Sequence, residues 1–222
     1  MLKKFSIFSI FFILGSIALI VFAITATNDF ESATKGYPFI MGFIKFFLLG
    51  TLGELLKHRL SHSDWKLDFI IERSLVWGVF GIWFTFVFAG FSILVDGLID
   101  INLWPASLPV MPDFLWVAFS KGLWLNVFGM FGWGMMVTHE YFNFVIGQRW
   151  KVFALDKFAE HVDVKFLLSF IPKTLVFFWV PANSFTFVLP DEWRVFTAAL
   201  LAVALGFFLS VGKKSNGNKK SA

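Results

Sequence analysis

The chain has no cysteine, which excludes disulfides, thiol nucleophiles and cysteine metal ligands. Charge is scarce as well: 15% of the 222 residues are Asp, Glu, Lys or Arg, against roughly 25% in a soluble domain. Catalytic constellations are missing too. There is no phosphate-binding glycine loop and no nucleophile beside a base. His139-Glu140 begins like a zinc-protease helix, but Asn143 stands where the second histidine is needed. His58 and His62 lie one helical turn apart with Asp64 nearby, and a solvated face of a basic loop explains them better than a metal does. Asp96 and Asp100, four apart, could hold a cation, and a loop boundary accounts for them equally well. The expectation is a non-enzymatic chain without metal or cofactor.

What the sequence does contain is apolar surface: 58% hydrophobic residues and 20% aromatic, with 33 Phe and 10 Trp. A soluble fold cannot hide that much, so the expected class is an all-α, polytopic transmembrane bundle. The net charge of +4 and pI near 9.3 do not point to nucleic acid, because the cations sit in short clusters between apolar runs. Spans are expected at Phe5 to Ile24, Pro38 to Leu56, Ser74 to Val95, Phe114 to Thr138, Phe166 to Leu189 and Trp193 to Val211, each long enough for a helix to cross roughly 30 Å of hydrocarbon. The first, behind Lys3 and Lys4, has too long an apolar core and too poor a cleavage site for a removed signal peptide, so it reads as a retained signal anchor. Three regions result: a signal-anchor span over 1–27, a five-span core over 28–212, and a basic, disordered tail over 213–222.

Cation placement sets the orientation. One side holds Lys3 and Lys4, then Lys57, Arg59, Lys66 and Arg73, then Arg149, Lys151, Lys157 and Lys165, then Lys213, Lys214, Lys219 and Lys220, fourteen of the nineteen basic residues. The other side has Lys35, the basic-free stretch Asp96 to Asp113, and a tight turn at Pro190 to Glu192 followed by Arg194. Both termini are therefore expected on the cytoplasmic side. Trp104, Trp116 and Trp193 near one boundary, and Trp65 and Trp150 near the other, suit interfacial anchors.

Small residues four apart let helices approach closely in lipid. Ala198, Ala202, Gly206 and Ser210 form one such stripe, and Gly81, Thr85 and Ala89 another. Gly122, Asn126, Gly129 and Trp133 share a face of the fourth span. Packing against a neighbouring helix or a second subunit is the favoured explanation of all three.

Lys165 to Pro190 is the stretch around which the rest is organised. Pro172, Pro181 and Pro190 should break the helix and free carbonyls beside Lys173 and Asn183. Irregular backbone is tolerated at membrane depth only where protein or a water-filled cavity satisfies it. Lysines inside spans cost about 2.5 to 3.5 kcal/mol on insertion scales. There are three, Lys45, Lys121 and Lys173. They could line a cationic path for anions, or snorkel separately to the headgroups. Glu54 is half a turn out of phase with Lys45, and Lys57 and His58 at i+3 and i+4 are its expected local partners, a residue on another helix being the alternative.

Leu52-Gly53-Glu54, Arg73 at the head of the next span, Trp179, Pro181, Asn183, Phe185, Pro190, Arg194 and Leu209-Ser210 together resemble the peroxisomal membrane protein and Mpv-seventeen family of small integral membrane proteins. The resemblance covers about Gly50 to Ser210. It departs at Phe86-Val87 and Ser92-Ile93, where the family has Gly-Pro and Trp-Tyr, and Phe5 to Ile24 looks like an added span. It implies a non-enzymatic membrane protein in a family thought to include weakly selective channels, with Gly53, Glu54, Arg73, Trp179, Pro181, Pro190 and Arg194 as signature positions of structural character.

The functional expectation is a weakly selective channel or small-solute or anion transporter, with a structural or lipid-organising protein as the alternative. Its polar candidates are Lys45, Glu54, Lys121, Asn126, Lys173 and Asn183. The expected partners are the bilayer, small anions or metabolites, and a second copy of the chain, with no nucleic acid. A bacterial inner membrane is favoured over an organellar one, because the basic loops are plain and no Arg-rich, Ser-rich presequence is evident.

Overall fold

The computed structural model describes residues 15, 17, 21, 25–62, 64–151, 153–201 and 203. All of the expected first span but residues 15, 17 and 21, the tail over 213–222, and the last span beyond residue 201 save Val203, with Ala202, Gly206 and Ser210 of its stripe, lie outside the described residues. Among the described residues there is no strand, only one isolated bridge between Leu108 and Met111.

The helices are α1 (Thr27–Gly36), α2 (Pro38–His62), α3 (Ile70–Asp100), α4 (Asp113–Leu123), α5 (Phe131–Gly147), α6 (Leu155–His161), α7 (Ile171–Thr174) and α8 (Val180–Val188). Three π-helical turns accompany them, Trp124–Phe128, Phe166–Phe170 and Leu175–Trp179. Residues 191–201 are helical as well. Among the described residues two helices, α2 and α3, are long and apolar enough to cross a membrane, and a third crossing results if the bent pair Asp113–Phe128 and Phe131–Gly147 is one span. The chain divides into two compact units, Met1–Ile82 with Ala199–Ala222, and Trp83–Ala198, so α3 contributes one end to each.

In the first unit, α2 buries Gly42, Lys45, Phe46, Leu49, Gly50, Gly53 and Glu54, a face repeating every three to four residues. This face meets the start of α3 at a close crossing. A Cβ on Gly81 would stand 2.0 Å from the carbonyl oxygen of Gly42, while the rings of Phe43 and Trp77 cover Gly78 and Gly50. Gly81 thus uses its lack of a side chain for backbone approach, whereas Ala89 of the same stripe is exposed.

In the second unit, α3 presents Phe84 and Phe88, whose rings pack on Phe131 and Phe187. The helix expected over Phe114 to Thr138 is not straight. It bends by 49° at Gly129 and Met130 and then continues to Gly147. The cause is local: Met130 adopts the left-handed region with φ 52°, and the Gly129 amide reaches back five residues to the Trp124 carbonyl at 2.7 Å.

The proline-containing stretch is helical at every position from 164 to 188. Breaks were expected at Pro172 and Pro181, and each instead follows a π turn and stands near the start of the α segment after it. The widened turn makes room for a ring that would otherwise strike the carbonyl four residues earlier. Pro190 does end its helix. Leu189 before it is extended at ψ 156°, as a residue preceding proline prefers, and the next helix begins at once.

Candidate functional site

The most enclosed polar centre lies in the second unit, where α4 and its π turn run along α8. Gly122 permits the approach, since a Cβ there would fall 2.4 Å from Ser184 Oγ and 2.9 Å from the Val180 carbonyl. Four residues on, Asn126 is 2% exposed and Asn183 is 3% exposed. Asn183 Nδ2 donates to Asn126 Oδ1 at 3.2 Å, and Asn126 Nδ2 donates to the carbonyls of Gly122 at 2.8 Å and Trp179 at 3.4 Å. Thr186 Oγ1, fully buried, donates to the Asn183 carbonyl at 2.7 Å. Asn183 Oδ1 has no hydrogen-bond partner among the described residues. Leaving a buried acceptor unmet costs about 1 to 3 kcal/mol, and such a group calls for an explanation.

Of the face Gly122, Asn126, Gly129 and Trp133, three residues turn to the 164–188 helix. Gly122 and Asn126 do so as described, and Trp133 Nε1 donates to the Leu167 carbonyl at 3.1 Å. Gly129 instead takes the ring of Phe91. Trp179, whose carbonyl accepts from Asn126, has a buried indole N–H with no partner among the described residues.

Lys121, one residue before Gly122, is 8% exposed and is held from α3. Its ammonium lies 2.8 Å from Asp96 Oδ2 and 2.8 Å from Ser92 Oγ. Ser92 and Asp96 are one turn apart, so both reach it from one face. This pairing answers the cation with a carboxylate. Lys173 is exposed on the 164–188 helix. Because Gly122 abuts Ser184, Lys121 and Lys173 are separated by about 16 Å of helical rise. They do not share a cavity. Around Lys121, Trp104 Nε1 donates to Ser120 Oγ at 2.8 Å, Trp116 Nε1 donates to the Pro105 carbonyl at 2.7 Å, and the two indoles stack with planes 2° apart.

The first unit holds the other candidates. Glu54 finds its partners on α3: Arg73 Nη1 donates to Oε2 at 3.0 Å and Trp77 Nε1 to Oε1 at 3.3 Å. The expected local ion pair thus gives way to the interhelical alternative, because Glu54 lies on the buried face of α2 while His58 turns to Asp64 at 2.9 Å. Beside it, Thr51 Oγ1 donates to Ser74 Oγ at 2.7 Å. Gly53 lets Val203 approach to 3.4 Å of where its Cβ would be. Lys45 is 5% exposed rather than extended to the headgroups. Its ammonium donates to Thr34 Oγ1 at 2.9 Å and lies 4.2 Å from the Phe30 ring centroid, both on α1. Arg194 pairs with Asp191 at 2.6 Å and lies 5.3 Å from the Phe187 ring.

The sequence reading passed over Ser92, Trp77, Thr34 and Phe30. The i, i+4 spacing of Ser92 and Asp96 was the available signal for Lys121. Asn143 Nδ2 faces His139 Nδ1 at 3.4 Å. Among the described residues no three of His, Asp and Glu come together as metal ligands. In comparisons with known proteins, no family model, no curated protein and no solved structure matches this chain.

Proposed function

We propose that the chain is a non-enzymatic, six-span membrane protein, with its basic loops and both ends on the cytoplasmic side, that passes small solutes with weak selectivity at the Asn126–Asn183 pair. The observation that carries this reading is the unpaired Oδ1 of Asn183, buried between helices widened by π turns. π turns gather at functional sites, and polar side chains inside a membrane bundle mark solute paths. A neutral amide lining explains weak selectivity. Lys121, offset by Asp96, adds little preference for small anions or metabolites, and Lys173 is the cation left to supply one. Kinship with the peroxisomal membrane protein and Mpv-seventeen family belongs to the same proposal, supported by the meeting of Glu54 with Arg73, both positions of the resemblance. A bacterial plasma membrane is the proposed location, an organellar membrane the alternative.

A second reading, a structural or lipid-organising protein, draws on the Glu54–Arg73 and Lys121–Asp96 pairs, each of which ties two neighbouring helices together. Solute flux through purified protein in liposomes separates the two. The channel reading expects flux above that of empty vesicles, largely lost in Asn183→Leu and kept in Lys121→Gln, with anion preference reduced in Lys173→Gln. Flux equal to that of empty vesicles from a folded original chain favours the structural reading.

A further inference from the structure

We infer that the turn after α5, residues 147–151 with 153–155, is a docking surface for anionic phospholipid headgroups. Arg149 and Trp150 are consecutive left-handed residues, with φ of 52° and 60°. Backbone bonds fix them there: Arg149 N–H to the Ile146 carbonyl at 2.8 Å, Trp150 to Val145 at 3.0 Å and Lys151 to Gln148 at 3.1 Å. The chain then folds back onto α5. Phe158 is buried against the rings of Tyr141 and Phe144, and the Tyr141 hydroxyl donates to the Phe153 carbonyl.

This construction turns the large apolar side chains outward. Trp150, Phe153 and Leu155 are 39%, 56% and 69% exposed. The rings of Trp150 and Phe153 touch at 5.9 Å, so they form one patch. Arg149 and Lys151 flank it, both exposed and neither in an ion pair among the described residues. Of the nearby carboxylates, Glu160 pairs with Lys157 at 3.4 Å and Asp163 accepts the Lys165 amide at 2.8 Å, while Asp156 is exposed on α6 beside Leu155, one carboxylate against the two cations. Exposed aromatics beside unpaired cations match the interfacial layer of a bilayer: rings enter the acyl boundary and cations meet phosphates. The unpaired positive charge selects anionic over zwitterionic headgroups. This surface operates whether or not solute crosses the helices.

The test uses the full chain in vesicles of phosphatidylcholine with phosphatidylglycerol, either lipid carrying a photoactivatable headgroup, and maps the labelled peptides. The original chain is expected to label preferentially with phosphatidylglycerol at residues 149–151 and 153–155. Arg149→Gln with Lys151→Gln should lower that preference by roughly fivefold per cation removed, and high salt should weaken it. The charge-keeping pair Arg149→Lys with Lys151→Arg should retain it, which separates loss of charge from loss of fold. Equal labelling by the two lipids in the original chain, or an unchanged preference in the glutamine variant, overturns the inference.

Discussion

At the scale of single residues, this chain answers buried charge with a partner from the next helix. Glu54 and Arg73 make a largely buried ion pair, with side chains 9% and 19% exposed. Removing one partner strands the other, so Glu54→Ala should cost about 3 to 5 kcal/mol in detergent unfolding. The double replacement Glu54→Leu with Arg73→Met should cost less than either single change, because no charge is left unmatched. Glycines report packing just as directly. Gly81→Ala places a methyl against the Gly42 carbonyl and should destabilise by about 1 to 3 kcal/mol, whereas Gly90→Ala, with nothing within 4 Å, should stay within about 0.5 kcal/mol in the same assay.

Asp64, in the exposed loop after α2, carries a pH dependence of known sign. The Lys66 amide and then the His58 side chain hold its carboxyl below the ordinary 3.8. The folded value is the lower one, so the carboxylate's contribution is complete above the ordinary value and disappears as pH falls through the depressed one. Hydrogen-exchange protection of the Lys66 amide should therefore be constant from neutral pH to about 5 and collapse below the ordinary carboxylate range. Unchanged protection in acid would show that the loop is held by other contacts.

Among elements, the 164–188 helix positions the candidate site, and the sequence marked it by its prolines while expecting breaks where the backbone widens into π turns. Proline's missing N–H is visible in a sequence. Whether the backbone breaks or widens depends on neighbours that can hold a π turn, here α4, α5 and their own π turn. In Pro181→Ala, the restored donor lets Leu175–Trp179 close to α geometry. Losing that extra residue turns Asn183 by about 100° away from Asn126. The coupling energy between the two asparagines, of order 0.6 to 1.7 kcal/mol for such bonds in membranes, should then fall to near zero in a double-mutant cycle. Retained coupling would mean that the π turn is set by packing and not by the proline.

For the whole molecule, the helical class and the positions of the long apolar helices were legible because apolar composition and run length follow directly from membrane physics. The helices overran their expected ends, α2 to His62 and α3 to Asp100, since polar helical turns beyond the hydrocarbon leave no mark in hydropathy. The bend at Met130 was not legible, because a left-handed methionine has no sequence signature. The face carrying Gly122 and Asn126 was legible from spacing alone. Its partner, Asn183, was named as a candidate, but their contact across 57 positions depends on the packing of α4 on α8.

The most direct test of solute passage at the asparagine pair exploits the missing cysteine. Asn183→Cys and the control Phe177→Cys, exposed on a face that the six-span proposal turns to lipid, each introduce the chain's single thiol, and the rate of modification by a water-soluble thiosulfonate is measured in sealed proteoliposomes. A solute path through the pair predicts faster modification of Asn183→Cys than of Phe177→Cys, with solute flux falling as the reaction proceeds. Modification of Asn183→Cys no faster than that of Phe177→Cys, with the protein folded, would contradict it.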